Sequence, residues 1–181
     1  IDDYDKMPIG FCDIPEITYG FGGAIEWKGF DVSIFFQGTA RVSLFEEGST
    51  IVPFSSGYKN NDGFLRGVME NRWTVDNPDP NARYPRTIRP SDALDNNNTK
   101  KSSFWVRNAA FLRLKNAEIG YTFPKRWMEK MAIQNLRLYV SGVNLLTWAP
   151  DVHLFDPDLG SGDGRKYPPT RVFNVGLNIN F

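Results

Sequence analysis

The last twelve residues, TRVFNVGLNINF (170–181), alternate strictly. Phe173, Val175, Leu177, Ile179 and Phe181 share one side; Asn174, Gly176, Asn178 and Asn180 share the other. Period-two alternation specifies a strand with one apolar and one polar side. In a water-soluble domain the apolar side turns to a core. In an outer-membrane barrel it meets lipid, and the polar side lines a wet lumen. The rest of the chain must decide between them.

Four earlier segments carry strand patterns. ITYGFGGAIEW (17–27) sets Ile17, Tyr19, Phe21, Gly23, Ile25 and Trp27 against small or polar residues, and Lys28-Gly29 then supplies a tight turn. The chain returns as FDVSIFFQGT (30–39), with Phe35 interrupting the polar side. A long third strand is expected over 104–123, where Ala117, Ile119, Tyr121 and Phe123 alternate with Asn116, Glu118, Gly120 and Thr122. Its upper half is out of phase, because Arg113 and Lys115 share the parity of Ile119. One explanation is that this half projects beyond whatever covers the lower half. The fourth strand is expected at 135–148 and the fifth at 170–181.

The joints alternate in length. The first is two residues. The second runs over about 40–103 and is rich in Gly, Asn, Asp and Pro, including DNNNTK at 95–100. The third, PKRWMEKMAIQ (124–134), reads as one or two helical turns, with Trp127 and Met131 four apart on one side. The fourth spans about 149–169. Short, long, short, long is the pattern of an antiparallel barrel with a periplasmic rim and an outer rim. With a periplasmic C-terminus, both short joints fall on the periplasmic rim and both long loops outside. The expected fold is therefore all-β, the C-terminal strands of a large transmembrane antiparallel barrel, incomplete within residues 1–181. Bacterial barrels need about eight strands or more, and an open edge is not tolerated in lipid. The strands that complete it are expected from sequence beyond this chain. The first residue is Ile1 and no signal peptide is visible, as expected of a mature product or a piece of a longer one.

Composition narrows the functional classes. Lys plus Arg and Asp plus Glu both number 21, so no net charge argues for nucleic acid as a partner. One cysteine, Cys12, and one histidine, His153, leave no disulfide framework and no cysteine- or histidine-based metal site. The loop DPDLGSGDG (156–164) offers Asp156, Asp158 and Asp163, yet the twelfth position from Asp156 is Tyr167 rather than the glutamate of a calcium loop. It reads as a Gly/Asp turn cluster. No nucleophile motif accompanies His153, so no catalytic residue, metal or cofactor is expected.

FLRLKN (111–116), GYTFP (120–124), LRLYVSGVNLLT (136–147) and YPPTRVFNVGLNINF (167–181) together resemble the C-terminal end of the SusC/RagA-type TonB-linked outer-membrane transporters of Bacteroidetes. IPEITYGFGGAIEWKGFDVSIFFQG (14–38) is similar to a hairpin of that family, and NRWTVDNPDPNARYPR (71–86) to one of its outward loops. The resemblance covers nearly the whole chain in order. It implies import of glycans or peptides through a 22-stranded barrel in the bacterial outer membrane, closed by a plug and driven by a TonB complex. It also implies a SusD-like lipoprotein lid over the outer loops. The plug, the TonB box and the earlier strands would lie outside these residues.

On that reading Phe173, Val175, Leu177 and Ile179 face lipid and Asn174, Asn178 and Asn180 face the lumen. Phe181 serves as the assembly signal, against the alternative of an apolar residue ending a core strand. Trp73 and Tyr84, out in the long loop, are the better candidates for stacking on sugar rings as substrate-binding residues. Trp105 and Trp148, at strand ends, suit an aromatic girdle or loop packing. Arg107, Arg113, Lys115 and Arg137 fit a polar lumen or exposed strand ends equally. The rival architecture is a soluble secreted β-sandwich that binds carbohydrate. It requires a second sheet packed on the same apolar face.

Overall fold

The computed structural model describes residues 3–48, 51–52, 65–87, 98, 100–128, 133–162 and 164–181. Its contacts divide the chain into two units. Pro15–Arg41, Ala110–Pro150 and Pro168–Phe181 form a sheet unit. Ile1–Ile14, Val42–Ala109 and Asp151–Tyr167 form a loop unit.

The sheet unit is a five-stranded antiparallel sheet. Its strands are β1 (Ile17–Trp27), β2 (Phe30–Ala40), β5 (Phe111–Thr122), β6 (Asn135–Trp148) and β7 (Val172–Asn180), side by side in that order. The β1–β2 hairpin closes on the pair Trp27↔Phe30. Lys28 and Gly29 both take positive φ, 49° and 90°. That combination turns with the right-handed twist of the strands it joins. A side chain at Gly29 would have its Cβ 2.7 Å from the Thr122 carbonyl oxygen, while the Thr122 N–H donates to the Gly29 carbonyl at 2.7 Å. The turn is thus pinned to the end of β5.

The expected strand at 104–123 is divided. Val106–Asn108 forms a separate strand, β4, which pairs with Ser43–Phe45 (β3) in the loop unit. Residues 111–122 alone join the large sheet. The out-of-phase half has a cause other than projection beyond a cover. Ile34 and Phe36 of β2 sit opposite Ala117 and Leu114 of β5, which in turn sit opposite Gly142 and Leu146 of β6. Two same-side positions are therefore two residues apart on β2, three on β5 and four on β6. Lys115 is the extra residue on β5; Asn144, with φ at 54°, and Leu145 face it on β6. This bulge returns Leu112 and Leu114 to the apolar side and sends Arg113 to the other.

After β5, Lys125–Met128 forms a single helical turn, α2. Trp127 on it is exposed, its ring 6.1 Å from that of Phe123; Met131, expected beside it, lies outside the described residues, as do Asp163 and all of DNNNTK except Asn98 and Lys100. The last strand ends at Asn180, and Phe181 follows it, 79% exposed.

The loop unit has its own core of Ile51, Val52, Val68, Tyr84 and Trp105, with Phe45, Leu65, Leu154 and Phe155 packed against it. Val68 comes from the short helix α1 (Arg66–Glu70). The stretch expected as open loop at 40–103 therefore carries a strand, a helix and part of a packed core.

Gly29→Val should cut the yield of folded protein sharply. A β-branched residue at that φ, against a carbonyl at 2.7 Å, costs on the order of 1–3 kcal/mol. The protease-resistant fraction after folding measures it, with Lys28→Asn at wild-type yield or above as the control.

Candidate functional site

The sheet unit carries its chemistry on two opposed faces. Cross-strand register aligns Ile25, Val32, Ile119, Val140 and Val175 in one row across all five strands. All five point to the same side, and each is between 42% and 75% exposed. β-Branched side chains suit such a pleated surface. Aromatic groups flank the row along the strands. Toward the short turns lie Trp27, Phe30 and Tyr121, with the Phe30 and Tyr121 rings 4.6 Å apart. Toward the far end lie Tyr19, Phe21, Phe36 and Trp148, with Phe21 stacked on Phe36 at 5.2 Å. Tyr19 and Trp27 are eight residues apart on β1. That is roughly 27 Å along a strand, or roughly 20 Å of height at a tilt of about 40°.

The opposite face is polar and low. Gly20, Gly22, Gly120 and Gly176 lie on it, and neighbouring side chains fold flat across them: Phe35 over Gly20 and Gly22, Arg137 over Gly120, Tyr139 over Gly176. This is why Phe35 is tolerated on the polar side. Arg137 on β6 reaches across Gly120 of β5 to β2, where its Nε–H donates to Asp31 Oδ2 at 3.0 Å and Nη2 also donates to Asp31 Oδ1. The same Nη2 donates to Glu118 Oε1 at 2.6 Å, and the guanidinium sits 5.0 Å from the Tyr139 ring centre. One cation thus ties three strands. Asn174, Asn178 and Asn180 share this face, while Phe173, Val175, Leu177 and Ile179 share the apolar one.

Arg113 is 2% exposed and donates through Nε to Thr147 Oγ1 at 2.9 Å. Arg107 belongs to the loop unit and donates through Nε to Glu46 Oε2 at 2.9 Å. Arg113 is therefore a buried cation of the sheet unit and Arg107 an ion-paired one of the loop unit. Trp148 is half exposed on the apolar face.

Tyr84 does not stand as a ligand platform. It is 2% exposed, its ring 6.4 Å from that of the equally buried Trp105. Two backbone bonds hold it, Tyr84 N–H to the Asn71 carbonyl at 3.2 Å and Trp73 N–H to the Tyr84 carbonyl at 2.9 Å. Packing against the apolar residues 51–52 claims it. Trp73, partly exposed, remains at the unit's surface.

Around Tyr84 runs a charge network invisible to motif reading. Arg83 Nη1 donates to Asp151 Oδ1 at 3.1 Å, the Asn108 N–H donates to Asp151 Oδ2 at 2.8 Å, and Arg83 Nη2 lies 3.7 Å from Glu46 Oε1. Burial pushes the Glu46 carboxyl above its ordinary range, and Arg107 and Arg83 offset this only in part. Burial also acts to raise Asp151, but the Asn108 N–H and Arg83 outweigh it and hold that carboxyl below the ordinary range.

No protein-family profile matches the chain. Curated proteins of Formosa agariphila do. TonB-dependent receptor P3 is 30% identical over 194 residues, spanning 100% of this chain and 18% of that receptor. TonB-dependent receptor P26 is 29% identical over 191 residues, spanning 98% and 18%. Among solved structures, the RagAB peptide transporter superposes with a TM-score of 0.67 at 24% identity, over 96% of this chain and 18% of that one. The RagAB peptide importer in its closed-closed state gives 0.69 at 24%, with the same coverage. The chain spans less than a fifth of the length of these relatives.

Two outcomes test the site. Arg137→Leu leaves Asp31 and Glu118 without their shared cation and should lower the thermal midpoint more than Asn178→Leu on the same face. Asp151, depressed in the folded state, contributes stability that is complete above its ordinary value of 3.8 and lost as pH falls below it. Proteolysis of the loop unit against pH should show that acid limb, and Asp151→Asn should flatten it.

Proposed function

The chain is homologous along its whole length to a segment of the TonB-dependent receptors, and from that premise we propose that it is the C-terminal barrel segment of a SusC/RagA-type importer of glycans or peptides. It is an outer-membrane β-barrel segment, not an enzyme, and the barrel is not closed within these residues. The mechanism is gated transport, with no bond made or broken.

The exposed apolar face carries this reading. Five strands present aligned rows of Ile, Val, Leu and Phe that the sheet unit leaves open. A water-soluble sheet does not expose a continuous surface of that kind without a partner. In lipid it is the favourable surface, and its roughly 20 Å height between aromatic groups fits the about 25 Å apolar band of outer-membrane barrels. Phe173, Val175, Leu177 and Ile179 then face lipid, and Asn174, Asn178 and Asn180 the lumen. Phe181, beyond the last ladder pair, is free to act as the assembly signal. On this reading the turn at 28–29 and the joint expected at 124–134 belong to the periplasmic rim, and the long loops expected at about 40–103 and 149–169 to the outer one.

The remaining strands, a plug, a TonB complex and a SusD-like lipoprotein lid complete the machine. The neighbours' transport of peptides makes peptides the first cargo to try, with glycans second. Trp73 is the surviving aromatic candidate for contact with cargo, and its removal should slow uptake without loss of assembly.

Assembly decides the central point. Val175→Arg places a cation on the proposed lipid face at mid-height, which costs about 2–4 kcal/mol at the bilayer midplane. It should abolish the folded species in outer-membrane fractions. Asn178→Arg, on the polar face, should assemble normally. Equal behaviour of the two variants would sink the barrel reading.

A further inference from the structure

The apolar face does not stop where the β5 ladder ends. A run of ring contacts carries it onward: Phe30 to Tyr121 at 4.6 Å, Tyr121 to Phe123 at 5.0 Å, and Phe123 to Trp127 of α2 at 6.1 Å. Trp27 ends β1 on the same side, and both tryptophans are more than half exposed.

Cations border this aromatic edge. Lys28 Nζ lies 4.8 Å from the centre of the Trp27 ring, which holds the ammonium beside an aromatic of the apolar face. Lys125 and Arg126 precede Trp127 on α2, and both are exposed. The bond from the Thr122 N–H to the Gly29 carbonyl, 2.7 Å, brings the two segments together. Among the described residues, none of the three cations has a carboxylate partner. The carboxylates at this end of β1 and β2, Glu26 and Asp31, sit on the polar face, where Arg137 engages Asp31. Glu129 and Lys130, next in sequence and outside the described residues, add no net charge.

Tryptophan and tyrosine rings settle at the headgroup level of a bilayer, and lysine and arginine lay apolar stems on a hydrophobic surface while their charges reach the interface. We propose that Lys28, Lys125 and Arg126 form a docking surface for the phosphates of phospholipid headgroups at the turn end of the apolar face. The proposal rests on the barrel reading and names the partner of that end. Acyl chains alone would cover the rings but leave three cations without a counter-charge. A soluble anion would meet the cations but leave Trp27 and Trp127 in water. A headgroup layer satisfies both.

Native mass spectrometry of the intact receptor in detergent tests this, with phosphatidylglycerol and diacylglycerol of the same chains as the two probes. The wild type should bind phosphatidylglycerol more tightly, by about fivefold for each cation engaged. Combining Lys28→Asn, Lys125→Gln and Arg126→Gln should remove that preference while diacylglycerol binding stays unchanged. Arg171→Gln, beyond the opposite end of the sheet, should keep it. A wild type that binds both probes equally overturns the proposal without recourse to any variant. So does a triple variant that retains the preference, or an Arg171→Gln variant that loses it. Failure of the barrel reading shows differently, as wild-type receptor missing from outer-membrane fractions.

Discussion

The sheet depends on keeping its two faces pure from one end to the other. A strand has only two sides, so an uncorrected slip of one residue would exchange them. On β5 the slip is present in the sequence itself: Arg113 and Lys115 share the parity of Ile119. The bulge at Lys115, matched by Asn144 and Leu145 on β6, absorbs it. Without that adjustment, two cations would stand in a surface built of Val, Ile and Leu. The added residues, one on β5 and two on β6, also increase local twist, which a sheet that belongs to a closed barrel requires.

The two units handle charge differently, the sheet unit at a partly exposed surface and the loop unit in an enclosed one. In the sheet unit, Arg137 sits between Asp31 and Glu118 with no buried side-chain atom of the three left orphaned. In the loop unit, the enclosed Glu46 is met by one guanidinium bond and one long contact. Leaving either carboxylate or guanidinium alone there would cost more than the pair is worth. The loop unit is consequently more than a connection. It has a packed core, a two-stranded sheet and a charge network that joins residues 46, 83, 107, 108 and 151.

The strands of the large sheet are legible in the sequence because alternation and a two-residue turn are local signals. β1 and β6 have the expected bounds, and β2 differs by one residue. The bulge is not legible, because only the partner strand reveals which residue is extra. β3 and β4 escape for a related reason: three residues are too few for a period. The faces of β7 follow from its pattern, whereas the burial of Tyr84 does not. Its environment is set by Ile51, Val52, Val68 and Trp105, which no spacing brings together. Glu46 and Asp151 lie 105 positions apart and share no motif, so their common contact with Arg83 emerges only in three dimensions.

The glycines of the polar face have a mechanical meaning. With Phe35, Arg137 and Tyr139 laid flat over Gly20, Gly22, Gly120 and Gly176, that wall has little relief. Upright side chains would make ridges that interlock with whatever body lies against them. A wall of low corrugation offers few steps for a neighbouring body to lock into, so contact with it is even rather than keyed.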